Sequence, residues 1–157
     1  MSVILARIDD RLIHGQVTEG WGKILKPELV VVVSDHIASS DWERELCLAA
    51  LPAYIQGMVV NVDDAAQKIN ELKSNHRASY VLFESTHDAH IAVKNGAQIT
   101  TLNVGGIHSE KGKREVLDYI FLDEDDIKHL KTLQNAGIEL DFRDLPEHDN
   151  VDVMSML

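Results

Sequence analysis

The sequence predicts one α/β domain, residues 1–157, built on an open, mostly parallel sheet of about six or seven strands with helices on both faces. Three observations carry that prediction. Short β-branched runs alternate with helix-like segments along the whole chain. The run Leu29-Val30-Val31-Val32-Val33 is apolar at every position, as in a strand covered on both faces. The length suits a single domain with its own core, and no internal repeat or low-complexity tract interrupts it.

The elements follow in order. Val3 to Ile8 reads as the first strand and 16–25 as a short helix that Pro27 closes. Leu29 to Val33 is the second strand, and Ser40 or Asp41 can cap a helix that runs through Ala50 to Pro52. A third strand spans 56–62. Asp63 or Asp64 then opens a helix with apolar spacing at Ala66, Ile69 and Leu72. Tyr80 to Phe83 is the fourth strand, and Ser85 or Thr86 caps a helix that ends at Asn95-Gly96. Strands over 99–104 and 116–122 flank a polar, glycine-bearing loop at 107–113. Asp123 to Asp126 put negative charge where a helix dipole favours it, ahead of Ile127, Leu130 and Leu133. A short strand over 139–143 and a tail with one or two helical turns complete the reading.

Composition excludes several functions. A formal net charge of −11 argues against a nucleic-acid partner, which demands a basic patch. No run approaches the roughly twenty apolar residues that span a bilayer, and no signal peptide is evident. The one cysteine, Cys47, falls in an apolar helix segment and reads as packing rather than as a reactive thiol. A reducing cytoplasm is the expected location. An anion handled by so acidic a chain needs a locally positive pocket, and two of the six arginines, Arg7 and Arg11, fall within five residues of each other.

They belong to the most chemically loaded stretch, Arg7-Ile8-Asp9-Asp10-Arg11-Leu12-Ile13-His14-Gly15-Gln16. It stands after a strand and before a helix, where open parallel sheets present their ligand-binding loops. His14 can act as a nucleophile toward phosphorus, with Arg11 and Arg7 clamping phosphate oxygens. Asp10 reads either as the carboxylate that orients Arg11 or the ring, or as a cap for the loop. Gln16 and Thr18 are placed to hydrogen-bond a phosphate. Gly105-Gly106 reads either as an anion nest or as a flexible turn. The ends of the first, second and fifth strands are expected to share one rim, bringing Ser34-Asp35-His36 and His108 toward the site. His87 and His90, three apart on a helix, could share a metal but have no evident third ligand, and His129 and His148 read as surface residues.

Residues 7–16 resemble the active-site segment of the IIB component of the mannose/fructose/sorbose family of the bacterial phosphoenolpyruvate-dependent sugar phosphotransferase system. The resemblance continues through 29–35, Leu102-Asn103-Val104-Gly105-Gly106, the acidic 122–126 and the ending 151–154, and so covers essentially the whole chain. Ser34 is a departure, because many relatives have asparagine there. The resemblance implies that His14 takes a phosphoryl group, at Nδ1, from a IIA phosphohistidine. It then passes the group to a sugar entering through the IIC and IID membrane subunits. Arg11 assists transfer, no metal or cofactor is called for, and membrane association is peripheral. No IIA-like segment is visible, so a separate IIB is expected, and the resemblance is compatible with a homo-oligomer.

Two rivals fare worse. A signalling receiver domain needs a lysine after the fifth strand, where this chain has Gly105-Gly106. A histidine phosphatase places arginine directly before its His-Gly pair, where this chain has Ile13.

Overall fold

A computed structural model describes residues 2–157. Its central sheet has six parallel strands in the order β3-β2-β4-β1-β5-β8, with β1 at Val3–Asp9, β2 at Leu29–Val33, β3 at Gln56–Val60, β4 at Ser79–Phe83, β5 at Thr101–Gly106 and β8 at Glu139–Asp141. From β1 the chain moves outward to β2 and β3, returns to β4, and crosses β1 to reach β5. The strand order therefore reverses between β1 and β5. Crevices at the carboxyl ends of such neighbouring strands are where open α/β sheets bind their ligands.

Alternation along each strand feeds two cores. Ala6, Ile8, Val31, Val33, Val81, Phe83, Leu102 and Val104 face one layer of helices: α4 (Val62–Leu72), α5 (Thr86–Lys94) and α6 (Glu124–Asn135). Leu5, Val30, Val32, Tyr80 and Leu82 face the other. That layer comprises a π-helical turn at Gln16–Trp21 running into α1 (Gly22–Leu25), then α2 (Asp35–Ala38) and α3 (Asp41–Leu48). Cys47 packs half-buried against this second core, and burial pushes its thiol up from its ordinary value. Helix starts follow local chemistry. Ser34, Ser40, Asn61, Ser85 and Asp123 each accept from the backbone N–H three residues on, and Asp123 forms a reciprocal capping box with Asp126.

Four expectations change. Ser34 starts an extra helical turn, α2, ahead of α3. The segment 116–122 is not one strand but part of a hairpin, β6 (Arg114–Leu117) and β7 (Ile120–Leu122), turning at Asp118-Tyr119. The fifth strand lies two residues later than its sequence pattern suggested, so Gly105 and Gly106 are strand residues rather than loop. The last strand stops at Asp141, leaving Arg143 in the segment that follows.

Candidate phosphoacceptor site

The site begins with alternation in β1. Leu5, Arg7 and Asp9 project to one face, while Ala6 and Ile8 enter the opposite core. Arg7 is fully buried, the largest side chain to be so, and sits in register with Asn103 of β5. A buried guanidinium is tolerable only if its charge and donors are satisfied. All five N–H groups of Arg7 find acceptors. Nε and Nη2 donate to Asp9 Oδ2 at 3.2 and 2.8 Å, and Nη2 also donates to Gln16 Oε1 at 3.2 Å. Nη1 donates to Asn103 Oδ1 at 3.0 Å and to the Asp144 carbonyl at 2.9 Å.

Beyond Asp9 the chain turns sharply. Leu12 N–H donates to the Asp9 carbonyl, and Leu12 adopts a left-handed conformation with φ of 57°. A branched residue rarely does so, at a cost on the order of 1 kcal/mol. The bend sends the side chains of Leu12 and Ile13 into the second core and brings His14 back over the end of β1. There His14 Nε2 meets Asp9 Oδ2 at 2.7 Å. The other oxygen, Oδ1, accepts from Arg11 N–H at 3.0 Å and Arg11 Nε at 3.4 Å.

Burial alone would raise the Asp9 carboxyl. The hydrogen bond from His14 and the charge of Arg7 outweigh it and hold the group down to about 2, against an ordinary 3.8. An ionised Asp9 accepts only, so Nε2 carries the imidazole proton and Nδ1 keeps its lone pair. Nδ1 accepts only a long bond, 3.3 Å, from Gln16 N–H. Arg11 donates through Nη2 to Gln16 Oε1 at 2.8 Å, and its Nη1 has no protein partner among the described residues. The result is an imidazole oriented by a carboxylate, its second nitrogen held only by a long bond and standing beside a half-exposed guanidinium.

Several expected site residues sit differently. The carboxylate that orients the ring is Asp9. Asp10 instead accepts from His108, through its N–H at 2.7 Å and Nδ1 at 2.5 Å, and so pins the 107–113 loop. Arg7 is not a free phosphate clamp, because every donor it has is engaged. His14 is half-buried, with 16% of its side chain exposed, rather than fully exposed. Thr18 Oγ1 donates to the His14 carbonyl at 3.3 Å, steadying the loop instead of facing a ligand. Gly105 and Gly106 form no nest. A Cβ on Gly105 would stand 2.0 Å from Arg7 Cζ, and one on Gly106 3.2 Å from the Asp9 carboxylate. These glycines make the space that the buried ion pair fills.

The shared rim is also narrower than expected. β4 separates β2 from β1, and Ser34 Oγ donates to Glu84 Oε2 at 2.6 Å, away from His14. His129, expected at the surface alone, packs against His87 and His90 with ring centroids 5.6 and 5.2 Å apart. No group of three such side chains is arranged to hold a metal among the described residues.

Three contributors were not singled out from sequence: Asp9 as the partner of the ring, Asn103, and the Asp144 carbonyl, which also accepts from Trp21 Nε1 at 2.9 Å. Strand alternation carried the signal for the first, since it places Arg7 and Asp9 on one face.

Fold and site together define a class: a doubly wound parallel α/β domain whose aspartate-held histidine stands in a loop at a topological switch. The family described as "PTS system sorbose subfamily IIB component" matches residues 3–157, and the chain belongs to it. It is a IIB component of the sugar phosphotransferase system. It is 33% identical over 157 residues to the fructose-specific EIIB component of Bacillus subtilis, covering all of this chain and 96% of that protein. It is 34% identical to the mannose-specific EIIAB component of Escherichia coli, of which it spans 49%. The crystal structure of the IIBSor domain of the sorbose permease from Klebsiella pneumoniae superposes with a TM-score of 0.89 at 32% identity, covering 99% of this chain and 95% of that one. No helix among the described residues is long and apolar enough to cross a membrane.

Proposed function

We propose that this protein accepts a phosphoryl group on His14 Nδ1 from a phosphohistidine of a IIA component and passes it to a sugar entering through IIC and IID membrane subunits. The observation that carries the reading is the 2.7 Å bond between His14 Nε2 and Asp9, which leaves Nδ1 as the nitrogen with a lone pair. In the first step the P–N bond on the donor histidine breaks as the P–Nδ1 bond forms, and the proton stays on Nε2, where the Asp9 carboxylate offsets the positive charge of the phosphorylated ring. Positive charge near the equatorial oxygens lowers the barrier, and Arg11 is the group placed to supply it. In the second step the P–Nδ1 bond breaks as the sugar hydroxyl oxygen bonds phosphorus, the hydroxyl proton passes to water and Nδ1 recovers its lone pair, so the reaction class is protein-phosphohistidine–sugar phosphotransfer. Association with the inner face of the membrane would be through the permease subunits, with the protein otherwise cytoplasmic.

The test is phosphate incorporation from phosphoenolpyruvate through the general phosphotransferase proteins and a IIA partner. One acid-labile, alkali-stable phosphate per chain is expected, and none in His14→Gln. Full incorporation in that variant, or an alkali-labile phosphate, overturns the reading.

A further inference from the structure

We infer that Asn103 is a positioning residue of the phosphoacceptor site: from β5, it and the Asp144 carbonyl fix how Arg7 distributes its bonds, and through Arg7 the charge that Asp9 presents to His14. The inference deepens the phosphoacceptor reading and rests on it for its catalytic meaning.

The side-chain amide of Asn103 is fixed in one sense. Its Nδ2 spends both hydrogens on main-chain carbonyls, those of Arg143 at 2.8 Å and Asp141 at 3.3 Å. Oδ1 must therefore face Arg7, and it accepts from Nη1 at 3.0 Å. Asn103 is itself 2% exposed, so no water shell can substitute for it. Its partner carbonyls lie at the end of β8 and just beyond it, and the next carbonyl along, of Asp144, takes the second Nη1 hydrogen.

The chemistry of these acceptors matters. Asn103 Oδ1, Gln16 Oε1 and the Asp144 carbonyl are all neutral, so among the groups bonded to Arg7 only Asp9 carries an opposing charge, while the Asp144 carboxylate and the Arg11 guanidinium act on it through space with opposite signs. Two neutral acceptors on Nη1 keep the guanidinium turned so that Nε and Nη2 both fall on Asp9 Oδ2. That same oxygen holds His14 Nε2. How strongly Arg7 neutralises Asp9 therefore sets how strongly Asp9 favours a second proton on the imidazole, which would occupy the Nδ1 lone pair.

Two substitutions push this balance in opposite directions. Asn103→Asp puts a second carboxylate on Nη1, draws Arg7 charge away from Asp9 and favours the imidazolium. The acid limb of the phosphorylation-rate profile moves up by roughly 0.5–1 pH unit, and the rate recovers at alkaline pH. Asn103→Ser withdraws the acceptor without adding charge, leaves Arg7 to lean on Asp9, and moves the limb down by a few tenths of a unit on the same grounds. A residue that merely stitched β8 to β5 would lower the melting temperature in both variants and leave the limb in place.

The experiment measures single-turnover phosphorylation from pH 5 to 9 in wild type and both variants, with ¹⁵N spectra of the His14 ring in unphosphorylated protein over the same range. Opposite displacements of limb and ring titration support the inference. A folded variant whose limb and ring titration coincide with wild type overturns it, and if Asn103→Asp does not fold, Asn103→Ser decides. The ring spectra need no phosphate donor. Opposite ring displacements without any phosphate uptake would therefore sink the phosphoacceptor reading alone, whereas uptake at His14 with unmoved titrations would sink the inference alone.

Discussion

Asp9 grips His14 across the turn that ends β1, with Oδ2 2.7 Å from Nε2, and the same oxygen binds the Arg7 guanidinium beneath it. One carboxylate oxygen thus serves as structural counter-ion and as orienter of the reacting ring. Asp9→Asn should separate these duties badly. The amide can donate to Nε2 and so favour the wrong tautomer, while Arg7 loses its only bonded counter-charge. We expect phosphate acceptance to fall by at least ~10²-fold and stability to drop by about 3–5 kcal/mol, as for a buried pair broken on one side. Stopped-turnover phosphorylation and urea unfolding measure the two effects. A near-wild-type rate would remove Asp9 from the mechanism.

Gly105→Ala tests the same pair from the opposite strand. The added methyl would stand 2.0 Å from Arg7 Cζ, an approach that side-chain adjustment cannot absorb in a guanidinium with all five donors engaged. Arg7 must leave its place, at a cost on the order of 3 kcal/mol. Gly106→Ala, 3.2 Å from the Asp9 oxygens, should cost less. Urea midpoints rank the two, and the reverse order would mean that the strand, not the ion pair, dictates glycine here.

These residues mark where the sequence was legible and where it was not. Leu29 to Val33 announces a doubly covered strand because every side chain on it is apolar, and Ser40, Ser85 and Asp123 announce helix starts because capping is a contact over two or three residues. His14 and Arg11 stand out as an unusual charge cluster at a strand end. The glycine pair reads two ways, as a nest or as a turn, and is part of a strand instead, because its reason lies in Arg7 and Asp9 on a strand far earlier in the chain. Asp9 is not legible as the partner of the ring, because nearness in sequence says nothing of the left-handed turn at Leu12 that folds His14 back over the strand. The contact of His129 with His87 depends likewise on how α6 packs on α5.

Arg11→Lys separates charge from geometry. Arg11 is anchored by its backbone N–H and Nε on Asp9 and by Nη2 on Gln16, with a side chain 39% exposed. Lysine keeps the charge but gathers its donors on one nitrogen, and so loses the planar fork whose separate nitrogens reach Asp9, Gln16 and a phosphate. The rate of phosphate acceptance should fall roughly 10-fold to 100-fold, with stability within about 0.5 kcal/mol of wild type, as for an exposed surface change. An unchanged rate would show that point charge alone suffices.

Acid should weaken the fold partly through Asp9. In the folded protein its carboxyl lies near 2, below its ordinary 3.8, because the bond from His14 and the charge of Arg7 outweigh burial. A depressed carboxyl binds its proton less readily folded than unfolded, so its stabilisation is complete above about pH 5 and is lost as pH falls through 3.8 toward 2. The shift corresponds to about 2 kcal/mol. Unfolding free energy should therefore decline across that window, and the ¹³C shift of the Asp9 carboxyl in folded protein should titrate near its lower end. An Asp9 carboxyl that titrates at or above its ordinary value would mean that burial, not the His14 and Arg7 bonds, governs its charge, and the tautomer argument for Nδ1 would fall with it.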